Sequence, residues 1–134
     1  NKQDLAKVLY QRGNFDEAFE ILNSITTQEN LSTTYFLKSL YFLEKRIYKE
    51  VFNLLNSIMA IDPQHGASIN NLGVIEALNG NRENAIQYFN KAIELYPNYI
   101  DANHNLKVSL GEKEGEYKFT LRELRKTLLN YTSI

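Results

Sequence analysis

A short pattern that ends in alanine or valine occurs three times along this chain of 134 residues. Its copies are residues 14–18, 47–51 and 81–85, and they are separated by 33 and then 34 residues. A period of this length indicates a structural repeat in which each unit is one supersecondary element. Such a unit cannot bury its apolar face alone, so neighbouring units stack and create a concave surface. We therefore expect function to reside in that surface rather than in a catalytic pocket.

Apolar residues within the units follow helical spacing. In the third unit they recur at steps of three and four residues, as one buried helix face requires: Leu72, Ile75, Ala85, Phe89, Ala92 and Ile93. Gly80 suits a turn between two helices, because glycine adopts a left-handed backbone without steric cost. Pro63 and Pro97 are expected to end second helices, because proline cannot continue the backbone hydrogen-bond ladder. The sequence thus predicts helix hairpins.

The third unit resembles the tetratricopeptide repeat, a helix-turn-helix unit of 34 residues. The residues at the spacing of that family are Leu72, Gly73, Gly80, Ala85, Phe89, Ala92 and Pro97. We expect Gly73 and Ala85 to be small because the two helices of the hairpin cross closely there, with Phe89 filling the gap.

The resemblance covers roughly residues 2–110 and implies an all-α fold, a right-handed α-solenoid of helix-turn-helix hairpins. The array is expected over residues 1–110. Its repeats are placed at approximately 1–31, 32–65 and 66–99, with a partial repeat at 100–110.

Residues 111–134 depart from the repeat pattern. Residues 111–116 are charged and contain two glycines, which predicts a break. Thr120 to Glu123 has the form of a capping box that would open a helix toward Tyr131. We expect this helix to cap the exposed end of the stack, or alternatively to begin a following domain. Because the chain starts at Asn1 inside a repeat, we also expect it to be a piece of a longer protein or a processed product.

In the tetratricopeptide family, the first helix of each hairpin lines the concave groove. The first helix of the second unit, residues 35–43, is apolar nearly all round, whereas a helix packed on one side shows a polar face. The resemblance places four of its side chains in the groove: Phe36, Leu37, Leu40 and Leu43. Exposed together, they would form an apolar patch for a partner or a second copy of the chain. Alternatively, the curvature of the array or an upstream repeat buries them.

The same mapping places polar and aliphatic residues of the later units in the groove: Asn70, Asn71, Val74, His104, Asn105 and Val108. A side-chain amide donates and accepts hydrogen bonds at once, which suits bidentate contact with an extended peptide backbone. Asn71 and Asn105 are 34 residues apart and would form a short ladder. The alternative is accident of composition, because the chain uses asparagine freely throughout.

Composition argues against several functional classes. Fifteen Lys and Arg balance 16 Asp and Glu, for a net charge of −1, so we expect no nucleic-acid partner. No apolar run approaches the roughly 20 residues that span a bilayer, so we expect no membrane insertion. The absence of cysteine excludes thiolate chemistry but leaves the redox compartment open. His65 and His104 lack the carboxylate pattern of a metal or acid–base site, so we predict no catalytic residue, no metal and no cofactor.

These observations predict a non-catalytic protein–protein interaction scaffold that binds a peptide or helix of a partner protein in the groove. One alternative is a regulatory or substrate-docking module of a larger enzyme. Another is a self-assembling array that forms homo-oligomers through the apolar helix of the second unit.

Overall fold

A computed structural model describes residues 1–124 of the chain, and within them it contains seven α-helices and no strand. The helices are α1 (Lys2–Gln11), α2 (Phe15–Asn23), α3 (Leu31–Glu44), α4 (Tyr48–Ile61), α5 (Gly66–Leu78), α6 (Arg82–Leu95) and α7 (Ile100–Ser109). The predicted fold class, an all-α helical repeat, is confirmed.

The chain divides into two compact units, Asn1–Asp62 and Pro63–Ile134. The first unit holds the hairpins α1–α2 and α3–α4, and α3 also contacts α1 and α2. The second unit holds the hairpin α5–α6 together with α7, which packs against both of those helices. Helices α4 and α6 end at Ile61 and Leu95, each two residues before a proline.

The first helix of every hairpin, and α7 as well, ends in the same kind of turn. One residue in each turn has a left-handed backbone: Gly13 (φ 84°), Arg46 (φ 58°), Gly80 (φ 84°) and Gly111 (φ 75°). At Gly80 the N–H donates to the carbonyl of Ala77 at 3.1 Å, and the next N–H donates to the carbonyl of Glu76 at 2.8 Å. Such bonds satisfy carbonyls at the helix end that otherwise lack a partner.

Hairpin α5–α6 has its close crossing at Gly73. A Cβ atom added to Gly73 would lie 2.6 Å from Cε1 and 2.9 Å from Cδ1 of Phe89. Phe89 and Ala85 are both fully buried on α6. The glycine therefore lets the two helices approach until the phenyl ring fills the space between them, as the sequence indicates.

No helix follows α7 within residues 111–124. Thr120 does not act as the predicted helix cap, because residues 120–124 are not helical and its hydroxyl is bonded to Asp101 instead. The capping-box pattern is therefore not realised at this point of the chain. The remainder of the predicted C-terminal helix, residues 125–134, lies outside the described residues.

Candidate peptide-binding site

Three asparagines form a connected cluster on α5 and α7, the helices that come first in the third and fourth repeats. Asn70 and Asn71 lie on α5 and Asn105 lies on α7, and all three side chains are buried. Asn105 Nδ2 donates to Asn70 Oδ1 at 2.9 Å, which joins the two helices. Asn70 Nδ2 lies 3.2 Å from Asn71 Oδ1. We call these three residues the asparagine ladder.

Residues 116–124, here called the C-terminal segment, lie against the asparagine ladder. Asn105 Oδ1 accepts the N–H of Lys118 at 2.8 Å, and its Nδ2 donates to the carbonyl of Lys118 at 2.9 Å. Asn71 Oδ1 accepts the N–H of Thr120 at 2.7 Å, and its Nδ2 donates to the carbonyl of Thr120 at 2.9 Å. Each amide thus binds one residue of the segment through both backbone groups.

The residues that alternate with Lys118 and Thr120 point into the hairpin. Tyr117 and Phe119 pack against the buried cluster that contains Val74 and Phe89. The rings of Tyr117 and Phe89 are stacked, with centroids 6.1 Å apart and planes at 20°. This period of two is the signature of an extended chain. The segment is therefore held by backbone contacts at one set of positions and by aromatic packing at the other.

The hydroxyl of Thr120 enters a small polar pocket. Thr120 Oγ1 donates to Asp101 Oδ2 at 2.7 Å and lies 3.2 Å from Asn70 Nδ2. It also lies 2.5 Å from the hydroxyl of Tyr99, which is buried. Burial raises the pKa of the Tyr99 phenol, the hydrogen bond with Thr120 lowers it in part, and the charge of Asp101 raises it further. The phenol therefore stays protonated at neutral pH and keeps its O–H to donate.

Both histidines of the chain hold the C-terminal segment. His104 Nε2 donates to the carbonyl of Glu116 at 2.7 Å. His65 Nε2 lies 2.8 Å from Glu123 Oε2, while its Nδ1 accepts the N–H of Ser68 at 3.2 Å and so caps α5. Because Nδ1 is an acceptor, Nε2 carries the proton that Glu123 accepts. Within residues 1–124, no cluster of His, Cys, Asp and Glu suits a metal ion.

The apolar patch predicted on the second repeat is not present in the structure. Phe36 is 1% exposed, Leu37 8% and Leu40 2%, and Leu43 is half-buried. The physical reason is that α3 contacts α1, α2 and α4, so little of its circumference remains uncovered. A helix that is apolar all round is a buried helix. The side chains of α3 therefore do not form the exposed apolar patch on which self-assembly through this helix was predicted.

Five of the six predicted groove residues of the third and fourth repeats come together. Asn70, Asn71 and Asn105 form the ladder, Val74 is buried beneath the aromatic residues of the segment, and His104 binds its backbone. Sequence reasoning missed the polar pocket, which Tyr99 and Asp101 form with Thr120. The sequence signal for it was weak, since these three residues share no short motif.

Residues 67–99 match the family model of the tetratricopeptide repeat. The resemblance read from the sequence is confirmed there. Two crystal structures described as MamA are similar in fold, with TM-scores of 0.70 and 0.71 at 16% identity. The alignments cover 98% of this chain and 66% and 70% of those chains, so this chain spans about two thirds of their length. No curated protein matches the chain in sequence.

Tetratricopeptide repeats generally mediate interactions between proteins, through the surfaces that stacked helix pairs create. Among the helices of residues 1–124, none combines the length and the hydropathy needed to cross a membrane.

Proposed function

We propose that this chain is a non-catalytic interaction module that binds an extended segment of a partner protein along α5 and α7. The observation that carries the proposal is the pair of bidentate contacts from Asn71 and Asn105 to backbone groups two residues apart. In the structure, the occupant is the C-terminal segment of the chain itself. A partner segment would take its place and use the same contacts.

Such contacts favour an extended peptide over a helix. The interior of a helix uses its N–H and carbonyl groups internally, so no interior residue can offer both groups to a side-chain amide. An extended chain presents the N–H and carbonyl of every second residue to the same side. With a net contribution of about 0.5–1.5 kcal/mol for each hydrogen bond, four of them supply about 2–6 kcal/mol without regard to sequence. The aromatic cluster around Val74 and Phe89 adds an apolar contribution.

A free peptide must compete with the tethered segment, whose effective concentration is on the order of millimolar. The test therefore begins with a chain whose own segment is weakened while the groove is intact. Tyr117→Ala/Phe119→Ala, which we call the open variant, removes the two rings that anchor the segment in the hairpin. The probe is a fluorescent synthetic peptide of residues 115–124, which restores both rings, and binding is followed by fluorescence anisotropy.

We expect the probe to bind the open variant at least about tenfold more tightly than it binds a matched control, Leu121→Ala. Leu121 is half exposed, so its truncation leaves the segment in place. Adding Asn71→Ala to the open variant should weaken the probe at least about tenfold. Circular dichroism verifies that each variant is folded. Failure of the probe to bind the open variant, or equal binding with and without Asn71, would refute the proposal.

A further inference from the structure

We infer that Asn70, Tyr99 and Asp101 form a subsite that selects an unmodified serine or threonine in the bound segment. The inference deepens the proposed function and rests on it, because it specifies one side chain of the extended peptide that the groove accepts. In the structure this side chain is Thr120.

The three partners use the full hydrogen-bonding capacity of a hydroxyl group. Thr120 Oγ1 donates its one proton to Asp101 Oδ2 at 2.7 Å. Its two lone pairs then accept from Tyr99 Oη at 2.5 Å and from Asn70 Nδ2 at 3.2 Å. A hydroxyl has one donor and two acceptor sites, so each site has a partner, although Asn70 Nδ2 shares its two protons among Thr120, Asn71 Oδ1 and the carbonyl of Lys118. Thr120 is 8% exposed and Tyr99 3%, so little water is present to replace a missing partner.

The backbone contacts determine which residue reaches the subsite. Asn71 binds the N–H and carbonyl of Thr120, the residue whose hydroxyl enters the pocket. The residue whose backbone Asn71 binds is therefore also the residue whose side chain the subsite selects. At Lys118 the backbone is bound in the same way by Asn105, but the side chain is exposed. Selection thus acts at one of the two backbone-bound positions.

Other side chains fail in this subsite for separate reasons. Valine has the shape of threonine but would leave the buried O–H of Tyr99 and the carboxylate of Asp101 without their partner. A phosphothreonine has lost the proton that Asp101 accepts and carries a charge of about −1.5 to −2 toward that carboxylate. Aspartate at this position would also place two carboxylates side by side. Phosphorylation of the occupant would consequently empty the groove.

The experiment uses the open variant and four peptides of residues 115–124, which carry threonine, serine, valine or phosphothreonine at position 120. We expect the threonine and serine peptides to bind within about threefold of each other. The valine peptide should bind at least about tenfold more weakly than the threonine peptide, a difference of about 1.4 kcal/mol. The phosphothreonine peptide should bind more weakly still. Because valine and threonine are both branched at Cβ, the comparison isolates the hydroxyl.

A second measurement separates the subsite from any general effect on the peptide. With Tyr99→Phe added to the open variant, the preference for threonine over valine should shrink at least about threefold, since one partner of the hydroxyl is gone. Equal binding of the threonine and valine peptides, or an unchanged preference in Tyr99→Phe, would overturn the inference while leaving peptide binding intact. If no peptide binds the open variant, the proposed function itself fails, and this inference fails with it.

Discussion

Replacing Asn71 by alanine removes one of the two bidentate contacts between the groove and the C-terminal segment. Two hydrogen bonds to the backbone of Thr120, at 2.7 and 2.9 Å, are lost. At a net value of about 0.5–1.5 kcal/mol each, the segment loses about 1–3 kcal/mol of stability against detachment. Since 1.4 kcal/mol is a factor of ten in an equilibrium constant, detachment becomes about 5–150 times more frequent.

Amide hydrogen exchange followed by NMR measures this detachment directly. In the wild-type chain, the N–H groups of Lys118 and Thr120 should be protected, because both donate to buried amide oxygens. In Asn71→Ala we expect the protection of both to fall by about 5–150-fold, since a continuous segment opens as a unit. The protection of the Phe89 amide on α6 should stay unchanged, because the hairpin core is not altered.

Asn81→Ala serves as the control. Its side-chain amide is exposed and binds the carboxylate of Glu76 at 3.2 Å, away from the segment. It should leave the protection of Lys118 and Thr120 within about twofold of wild type. Protection of Thr120 that survives Asn71→Ala would show that the bidentate contact does not hold the segment, and the reasoning about the asparagine ladder would be refuted.

Three stability predictions concern the hairpins, each tested by urea unfolding. Gly73→Ala should lower the free energy of unfolding by about 1–3 kcal/mol, because the new Cβ would lie 2.6 Å from a ring carbon of Phe89 on α6. A free energy of unfolding equal to that of the wild-type chain would contradict the close crossing of the two helices. Arg46→Gly should raise it by about 0.5–1 kcal/mol by relieving a left-handed backbone at φ 58°, whereas the control Lys45→Gly, at φ −83°, should lower it. Leu40→Ala should lower it by about 2–4 kcal/mol through a buried cavity and leave peptide affinity of the open variant unaltered; reduced affinity would restore Leu40 as a groove residue.

The helix hairpins could be predicted because their determinants are local and periodic. Glycine at the crossing, alanine opposite it and proline after the second helix each act within one repeat. At the turn after α3 the sequence has only a polar pair, Lys45 and Arg46, instead of the glycine that occurs in the other turns, and this pair still predicts a break between two helices. The hydrogen bonds of this turn to the end of α3 are the same as in the other hairpins.

The ladder could be predicted in part. The 34-residue spacing placed Asn71 and Asn105 at equivalent positions, and amide chemistry indicated an extended backbone as the ligand. That the ligand is residues 116–124 of the same chain could not be read, because the pairing of Asn71 with Thr120 spans 49 residues and leaves no periodic trace. Thr120 and Glu123 fit the local pattern of a capping box, which predicts a helix start at Thr120, although no helix begins there.

The apolar helix of the second repeat shows a different limit of sequence reasoning. Phe36, Leu37 and Leu40 would give the same pattern whether the helix is buried by its neighbours or exposed to a partner. Only the packing of α3 against α1, α2 and α4 distinguishes the two cases. Whether a helix face is buried depends on the neighbouring helices, so the sequence of one helix does not determine it.

The way in which Asn105 holds Lys118 has a consequence for sequence variation. Because the amide contacts only the main-chain groups of Lys118, and the lysine side chain is exposed, position 118 should accept almost any residue that keeps its N–H. Proline is the exception, because it has no N–H to donate. Tyr117, Phe119 and Thr120 should tolerate far fewer replacements. In a library randomised over these four positions, variants that keep the segment bound should therefore show many different residues at position 118 and few at the other three.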